Sequence, residues 1–403
     1  MANPGVNGRK ASRQQTDFSV VVGGPFYRFL RRIHLSDDAL ARVGKRLIVI
    51  VLFAWLPLLV LAALQGQFWG GGVTTPFLLD VEVHVRFLVA MPLLIAAESL
   101  VHERMRSVAQ QFLDRNLIPD GSMEKFHAAI ASTNRLRNAM APEVLLVTFV
   151  YGFGILIVWR QYVALDTATW YALPVNEGAQ LSLAGIWYGY VSLPIFQFLL
   201  VRWYYRLYLW TRFLWKVSAI RLNLVPTHPD RLGGLGFLSY TVNALFVLAV
   251  AHGAIVAAQL ANQIFFRGTP LPQFTTEIAI MVVFMQCLVF APLLVFTPQL
   301  AAARWRGRLE YGMLASRYKR APHVGVGKDG KPAHDAFKDS GDVQPPAELD
   351  SNYEAVRSMN LVPVTWQASL SLAAATLIPV LPLLLTMMPM EELMTKFIGI
   401  LFR

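Results

Sequence analysis

Charged residues are scarce in this sequence. They make up 15% of its 403 residues, whereas soluble domains carry about 25%, so a soluble two-domain protein is excluded. Cysteine is scarcer still: Cys287 is alone, and a disulfide-stapled secreted domain is therefore excluded as well. In place of charge the chain is 55% hydrophobic, which excludes a disordered protein.

The apolar residues gather in seven runs with few or no charges. Each is long enough, or nearly so, to cross a hydrocarbon core of about 30 Å at 1.5 Å per residue. The sequence therefore predicts an all-α fold: a polytopic transmembrane helical bundle of about seven spans. Because the last run contains several prolines, six spans plus a re-entrant hairpin are the alternative. The runs are 47–64, 87–101, 144–159, 181–201, 238–266, 278–303 and 361–388.

Lys and Arg divide very unevenly between the two sides of this bundle. Thirty-one of the 36 fall on the side of the N-terminus, and loops rich in Lys and Arg are typically cytoplasmic. The pattern predicts a bacterial-type cytoplasmic (inner) membrane, with the N-terminus in the cytoplasm and the C-terminus outside. The net charge of +11 then faces anionic lipid headgroups, so nucleic-acid binding is not needed to explain it.

Composition along the chain predicts four segments. The first, 1–46, carries a basic amphipathic helix in which Phe26, Phe29 and Ile33 lie opposite arginines, as expected of a helix on the inner leaflet. A second surface helix is predicted within 390–401, and a flexible linker rich in Gly, Pro, Lys and Asp within 322–351. The second segment, 47–303, is a six-span membrane domain with a cytoplasmic helical hairpin at 102–141. The third, 304–360, is a basic segment that contains the linker. The fourth, 361–403, is the last span with its surface helix.

Glu98 is an acidic residue inside the second predicted span, where a carboxylate costs on the order of 3 kcal/mol and normally faces a partner or water. His102 follows one helical turn later. Two interpretations are open: His102 satisfies the charge near the interface, or the face that holds both residues forms a path for protons or cations.

His252 lies at the centre of the fifth predicted span, on one face with Gln259, and Gln286 lies in the sixth. Small residues at every fourth position favour close helix packing, so we interpret His252 as packed and paired. A haem held by two histidines is not predicted, because the predicted spans show no second histidine at a similar depth. Two motifs suggest close pairing of helices, either within one chain or between the subunits of a homo-oligomer. They are Gly185 with Gly189, and the stripe Ala249, Gly253 and Ala257.

Aromatic residues and cations alternate at the end of the fourth predicted span. Among them are Arg202 and Arg206, beside several tryptophans and tyrosines. Arginines of a voltage sensor would lie inside the span at every third position. We therefore interpret this region as an aromatic belt with lipid-facing cations.

The most unusual local sequence is a turn between the fourth and fifth spans, residues 226–237. One interpretation is structural: Thr227 caps a helix with Asp230 as its capping-box partner. The other is a site for an anion or a metal ion, formed by His228, Asp230 and Arg231 beside Gly233 and Gly234.

The enzyme signatures considered are incomplete or absent in this sequence. His102-Glu103 lacks the second histidine of a zinc helix, and no glycine-flanked serine nucleophile occurs. No cofactor is predicted. The leading hypothesis is a transporter or channel for a small solute or ion, supported by the polar residues in the spans and by prolines that interrupt five of them. The alternatives are a membrane-embedded interaction or assembly protein and, less favoured, an enzyme acting at the cytoplasmic face.

Overall fold

The computed structural model describes residues 18–34, 43–70, 72–159, 168–175, 178–320 and 346–387. Helices dominate this part of the chain, and two short strands form its one sheet. In chain order the helices are α1 (Pro25–Arg32), α2 (Val43–Leu64), α3 (Val81–Asp114), α4 (Met123–Asn138), α5 (Met140–Phe149), α6 (Leu183–Ser218), α7 (Ser239–Arg267), α8 (Thr275–Phe290), α9 (Thr297–Arg320), α10 (Pro346–Arg357) and α11 (Trp366–Leu377).

Six helical stretches are long and apolar enough to cross a membrane, which confirms the prediction of an all-α polytopic membrane bundle. The predicted third span is a shorter apolar helix, α5, which continues in π-helical form to Trp159. The last span continues as a single helical stretch rather than as a hairpin. The six stretches are Val43–Leu64, Val81–Asp114, Leu183–Ser218, Gly236–Arg267, Leu271–Met313 and Trp366–Met387.

Prolines coincide with irregular turns in several of these stretches. The segments Arg86–Ala90 and Tyr188–Ser192 are π-helical and directly precede turns that contain Pro92 and Pro194. Because proline lacks an N–H and its ring crowds the carbonyl four residues earlier, the regular hydrogen-bond ladder cannot continue through it. Two further segments with prolines, Ala291–Phe296 and Ile378–Met387, are 3₁₀-helical.

One end of the bundle, which we call the basic face, carries residues 18–34, α4, the 226–237 turn and α10. Phe18 is buried there against Phe213, with ring centroids 4.3 Å apart. The N–H of Gly24 donates to Asn138 Oδ1 at 3.0 Å, and Arg137 donates to the carbonyl of Ser19 at 2.5 Å. The N-terminal segment is therefore bound to the bundle by specific contacts.

The opposite end, the hairpin face, carries the antiparallel strands β1 (Ala172–Val175) and β2 (Gly178–Leu181). Asp80 is buried beneath them and caps the start of α3. Its carboxylate accepts hydrogen bonds from Trp170 Nε1 and Asn262 Nδ2, each at 2.8 Å. Asp80 thus joins the hairpin, α3 and α7.

The two predicted helix-pairing motifs pack against other parts of the same chain. A Cβ added to Gly253 would lie 2.0 Å from the carbonyl oxygen of Thr376 in α11, and one added to Gly185 would lie 1.9 Å from that of Tyr171. Gly189, Ala249 and Ala257 are buried as well. Close helix packing is therefore present, but the expectation that these motifs offer a free surface to a second copy is wrong.

Two predictions fall on parts of the chain outside the described residues. They are the surface helix within 390–401 and most of the linker within 322–351.

Candidate functional site

A cluster of buried charges surrounds Glu98 where α2, α3 and α6 meet. Arg46 Nη2 lies 2.5 Å from Glu98 Oε2, and Arg206 Nη2 lies 2.7 Å from Oε1. Arg202 Nη1 is at 4.0 Å. The side chain of Glu98 is 6% exposed, and those of the three arginines are equally or more buried. We call these four residues and Glu143 the Glu98 cluster.

The cluster extends to the N-terminal segment through Arg202 and Glu143. Arg202 Nη2 lies 3.5 Å from Glu143 Oε1, and the other oxygen of Glu143 accepts the N–H of Phe26 at 2.6 Å. The guanidinium of Arg202 also stacks on the Phe26 ring, 4.5 Å from its centroid. One network of charges therefore ties α1, α2, α3, α5 and α6 together.

The cluster holds three guanidinium groups and two carboxylates. Part of the excess positive charge lies against aromatic faces: Arg202 on Phe26 and Arg206 on Trp203, at 4.9 Å. Such cation–π contacts gain strength when desolvated. Both oxygens of Glu98 are occupied by arginines, so Glu98 serves as the central anion of a structural network.

His102 does not supply the partner of Glu98 that its spacing suggested. Its Nδ1 lies 2.8 Å from the hydroxyl of Ser19 in the N-terminal segment, while arginines occupy the Glu98 carboxylate. A proton path through Glu98 and His102 therefore has no support in the contacts of Glu98.

The assignment of Arg202 and Arg206 to a lipid-facing belt is wrong. Both are buried in the Glu98 cluster, and Trp203 and Trp210 are buried beside them. Exposed aromatic residues of the kind expected in a belt, Tyr208 and Trp215, do occur on the same helix. The spacing of four between the two arginines, which places both on one helix face, was the available signal.

The other polar candidates inside the bundle lie at separate places. His252 Nδ1 lies 2.7 Å from the carbonyl of Leu248; because a carbonyl only accepts, Nδ1 carries the proton and Nε2 accepts from Tyr204 Oη at 2.8 Å. Gln286 exchanges two hydrogen bonds with Ser369 of α11. Gln259, which the helical pattern placed beside His252, is exposed on the bundle surface. These residues do not converge on one site with Glu98.

The 226–237 turn is organised around Asp230. One oxygen of its carboxylate accepts from the N–H groups of Leu232 at 2.8 Å and Gly234 at 3.1 Å, and the other from Gly236 at 2.8 Å. No helix begins at Thr227, so the predicted capping box is wrong. Asp230 instead holds the loop that leads into α7.

Gly233 and Gly234 have a conformational role in that loop. Their φ angles are 63° and 98°, in the left-handed region where L side chains are strained. A Cβ on Gly234 would also lie 3.3 Å from Leu117. The glycines therefore let the backbone wrap around the Asp230 carboxylate, and that carboxylate is already used.

Burial alone would raise the pKa of Asp230, but the three backbone N–H donors and nearby His228, whose Nδ1 is 2.9 Å away, hold that pKa below its ordinary value of 3.8. The carboxylate therefore stabilises the fold fully above pH 3.8, and this contribution is lost as the pH falls through the lowered pKa.

We expect Asp230→Asn to destabilise the protein at pH 7 by about 1–3 kcal/mol, because an amide cannot replace a carboxylate that accepts three N–H bonds. The difference from wild type should shrink as the pH falls below 3.8 and through the lowered pKa of Asp230. Melting curves in detergent at pH 7 and at a series of pH values below 3.8 measure this effect. Asp114→Asn, at an exposed site, is the matched control, and an equal loss in both variants would contradict the role of Asp230.

A polar surface cleft of about 680 Å³ lies beside the turn, between it and α10. The N–H of Asn360, three residues after the end of α10, donates to the carbonyl of Arg231 at 2.7 Å and so holds the turn next to the helix. Asp230 does not line the cleft, but His228 and Arg231 do. The full lining is His228, Pro229, Arg231, Ser351, Glu354, Ala355, Arg357 and Ser358.

The cleft lining suits an anion better than a metal ion. Arg231 and Arg357 are exposed cations and Glu354 is the one carboxylate among its lining residues. Among the described residues, no three His, Cys, Asp or Glu side chains lie close enough together to hold a metal ion.

Comparisons with protein-family models, with curated proteins and with solved structures find no match.

Proposed function

We propose that this multi-pass membrane protein is an interaction or assembly protein that binds an acidic segment of a partner protein in the cleft of its basic face. The observation that carries the proposal is the separation of two kinds of polar residue. Inside the bundle, Glu98, His252 and Gln286 are bound to other groups of the chain, whereas the cleft offers polar groups to a ligand.

The Glu98 cluster supports this reading through its position. It fixes α1 to the bundle through Phe26 and Glu143, and other contacts fix the preceding residues to α4. A rigid basic face is what a docking surface requires, because pre-organised side chains lose little entropy on binding.

The chemistry of the cleft favours an acidic ligand. Arg231 and Arg357 can each donate to a carboxylate, and arginine forms two parallel hydrogen bonds with such a group. Ser351 adds a hydroxyl donor on the α10 side, whereas the hydroxyl of Ser358 already donates to the carbonyl of Ala355 at 3.1 Å. Glu354 would repel a carboxylate placed next to it, so the acidic groups of the partner would lie towards the two arginines.

The proposal is tested by a photo-crosslinking amino acid placed at Ser358 in cells that express the protein. We expect a discrete adduct of higher mass. Charge reversal by Arg231→Glu with Arg357→Glu should reduce that adduct at least tenfold at unchanged protein level, because both cations that face the ligand are removed.

Arg104→Glu is the matched control, since Arg104 is exposed on α3 outside the cleft. It should leave the adduct intact. The proposal is contradicted if no adduct forms at Ser358, or if the Arg104 variant loses it as completely as the cleft variant.

Transport of a small solute or ion is the second candidate, and the irregular turns beside the prolines favour it. Such turns free backbone carbonyls and in transporters line cavities. If the protein conducts ions, proteoliposomes that contain it should dissipate Na⁺, K⁺, Cl⁻ or proton gradients faster than empty ones. The interaction proposal predicts equal rates.

We infer that the basic face is cytoplasmic and that the membrane is of the bacterial inner type. The support is the distribution of Lys and Arg, which places 31 of 36 on that side, as in cytoplasmic loops.

Single cysteines in a Cys287→Ser background should report this orientation. We expect Thr74→Cys, exposed on the hairpin face, to react with an impermeant thiol reagent on intact cells. Glu124→Cys, exposed on α4, should stay unlabelled until the membrane is opened. Labelling of position 124 in intact cells, with position 74 protected, would reverse the orientation.

A further inference from the structure

An apolar groove of about 510 Å³ runs along the bundle at the basic face. Its walls are α1, α2, α6 and the segment from α5 into its π-helical continuation. Thirteen of its 14 lining side chains are apolar, and the remaining one is Tyr151. Phe29 of α1 and Phe53 of α2 are 56% and 52% exposed, so the groove presents a large apolar surface between membrane-spanning helices.

One cation lies at the end of the groove nearest α1. Lys45 is exposed on α2 and precedes the groove-lining Val49 by four residues, which places it one helical turn nearer the basic face on the same side of the helix. Arg28 and Arg32 are exposed on the other face of α1 and do not line the groove. An apolar slot with a cation at one end is complementary to an amphiphile with an anionic head.

We propose that the groove is a binding site for one anionic phospholipid, whose acyl chain fills the slot while its phosphate group lies at Lys45. This site is separate from the cleft and does not depend on the proposed function. The chain would be held by van der Waals packing against the apolar side chains, and cations near the membrane surface attract anionic headgroups.

A lipid suits the groove because two of its walls, α2 and α6, are long and apolar enough to cross the membrane. An acyl chain can therefore enter the groove directly from the bilayer.

Native mass spectrometry of the purified protein tests the site, with phosphatidylglycerol or phosphatidylcholine added at equal concentration. We expect one phosphatidylglycerol molecule to be retained, with at least fivefold higher occupancy than phosphatidylcholine. Val49→Trp should fill the groove and lower the bound fraction at least fivefold. Ile48→Trp is the matched control: Ile48 is exposed on the same helix but does not line the groove.

A further variant separates the acyl slot from the headgroup contact. Lys45→Gln should bring phosphatidylglycerol down to the occupancy of phosphatidylcholine while leaving the latter unchanged. If Val49→Trp does not fold, Ile195→Trp fills the groove from the α6 side and serves in its place. Equal occupancy of the two lipids in the wild type, equal loss in the Ile48 control, or a bound mass equal to a second copy of the chain would overturn the proposal.

Discussion

Glu98→Gln should destabilise the protein strongly, by about 3–5 kcal/mol, because removal of one partner from a buried ion network leaves the remaining charges uncompensated. Arg46 and Arg206 would then lose the carboxylate that they contact, and Arg202 would keep only Glu143. We expect a markedly lower melting temperature in detergent and little folded protein at physiological temperature.

The matched control is Glu103→Gln, on the same helix but exposed, and it should change the melting temperature by no more than a degree or two. From the sequence alone, loss of a charge buried in a span would relieve a desolvation cost and favour a higher melting temperature. Because three arginines surround Glu98 in the structure, we expect the melting temperature to fall instead. A Glu98→Gln protein as stable as the Glu103 control would contradict the structural role of Glu98.

Gly253→Ala should be the second most damaging of these changes. Its Cβ would lie 2.0 Å from the carbonyl oxygen of Thr376 and 3.0 Å from the carbonyl carbon. A backbone cannot yield as a flexible side chain can, so α7 and α11 would have to separate along their whole contact. Overpacking of this kind costs about 1–3 kcal/mol and sometimes more.

Gly152→Ala provides the comparison, because a Cβ there meets no atom within 4 Å. Replacement of a helical glycine in open space is neutral or stabilising, by up to about 1 kcal/mol. Thermal unfolding of both variants in the same detergent measures the difference. Equal melting temperatures would show that α7 and α11 do not pack closely at Gly253.

The fold class was predictable because span length and the scarcity of charge are properties of the chain alone. A hydrophobic run long enough to cross the bilayer has few alternatives to a helix, since lipid offers no partners for backbone N–H and carbonyl groups. The same holds for α1, whose apolar and basic faces follow from a local period.

The Glu98 cluster was not predictable in the same way. Arg46 precedes Glu98 by 52 residues and Arg206 follows it by 108, and nothing in either local pattern specifies which helix faces which. The expectation that His102 pairs with Glu98 relied on the nearest residue at helical spacing. Tertiary packing instead brought in arginines from two other helices, and these contact both oxygens of the Glu98 carboxylate.

The prediction of a capping box in the 226–237 turn was wrong for a local reason. Thr227 and Asp230 have the spacing of a capping box, but three glycines follow them, and two of these adopt positive φ angles. That backbone points successive N–H groups at one carboxylate. A glycine-rich stretch directly after an aspartate was the available signal for a loop closed on that aspartate.

We infer that the charges inside this bundle hold its helices together. A double-mutant cycle of Glu98→Gln and Arg206→Gln, read out as melting temperature, tests this role most directly. Removal of both partners restores the original charge balance, so the account predicts that the double variant is clearly more stable than Glu98→Gln alone, with a coupling of about 1–3 kcal/mol. Simple additivity of the two losses would contradict it.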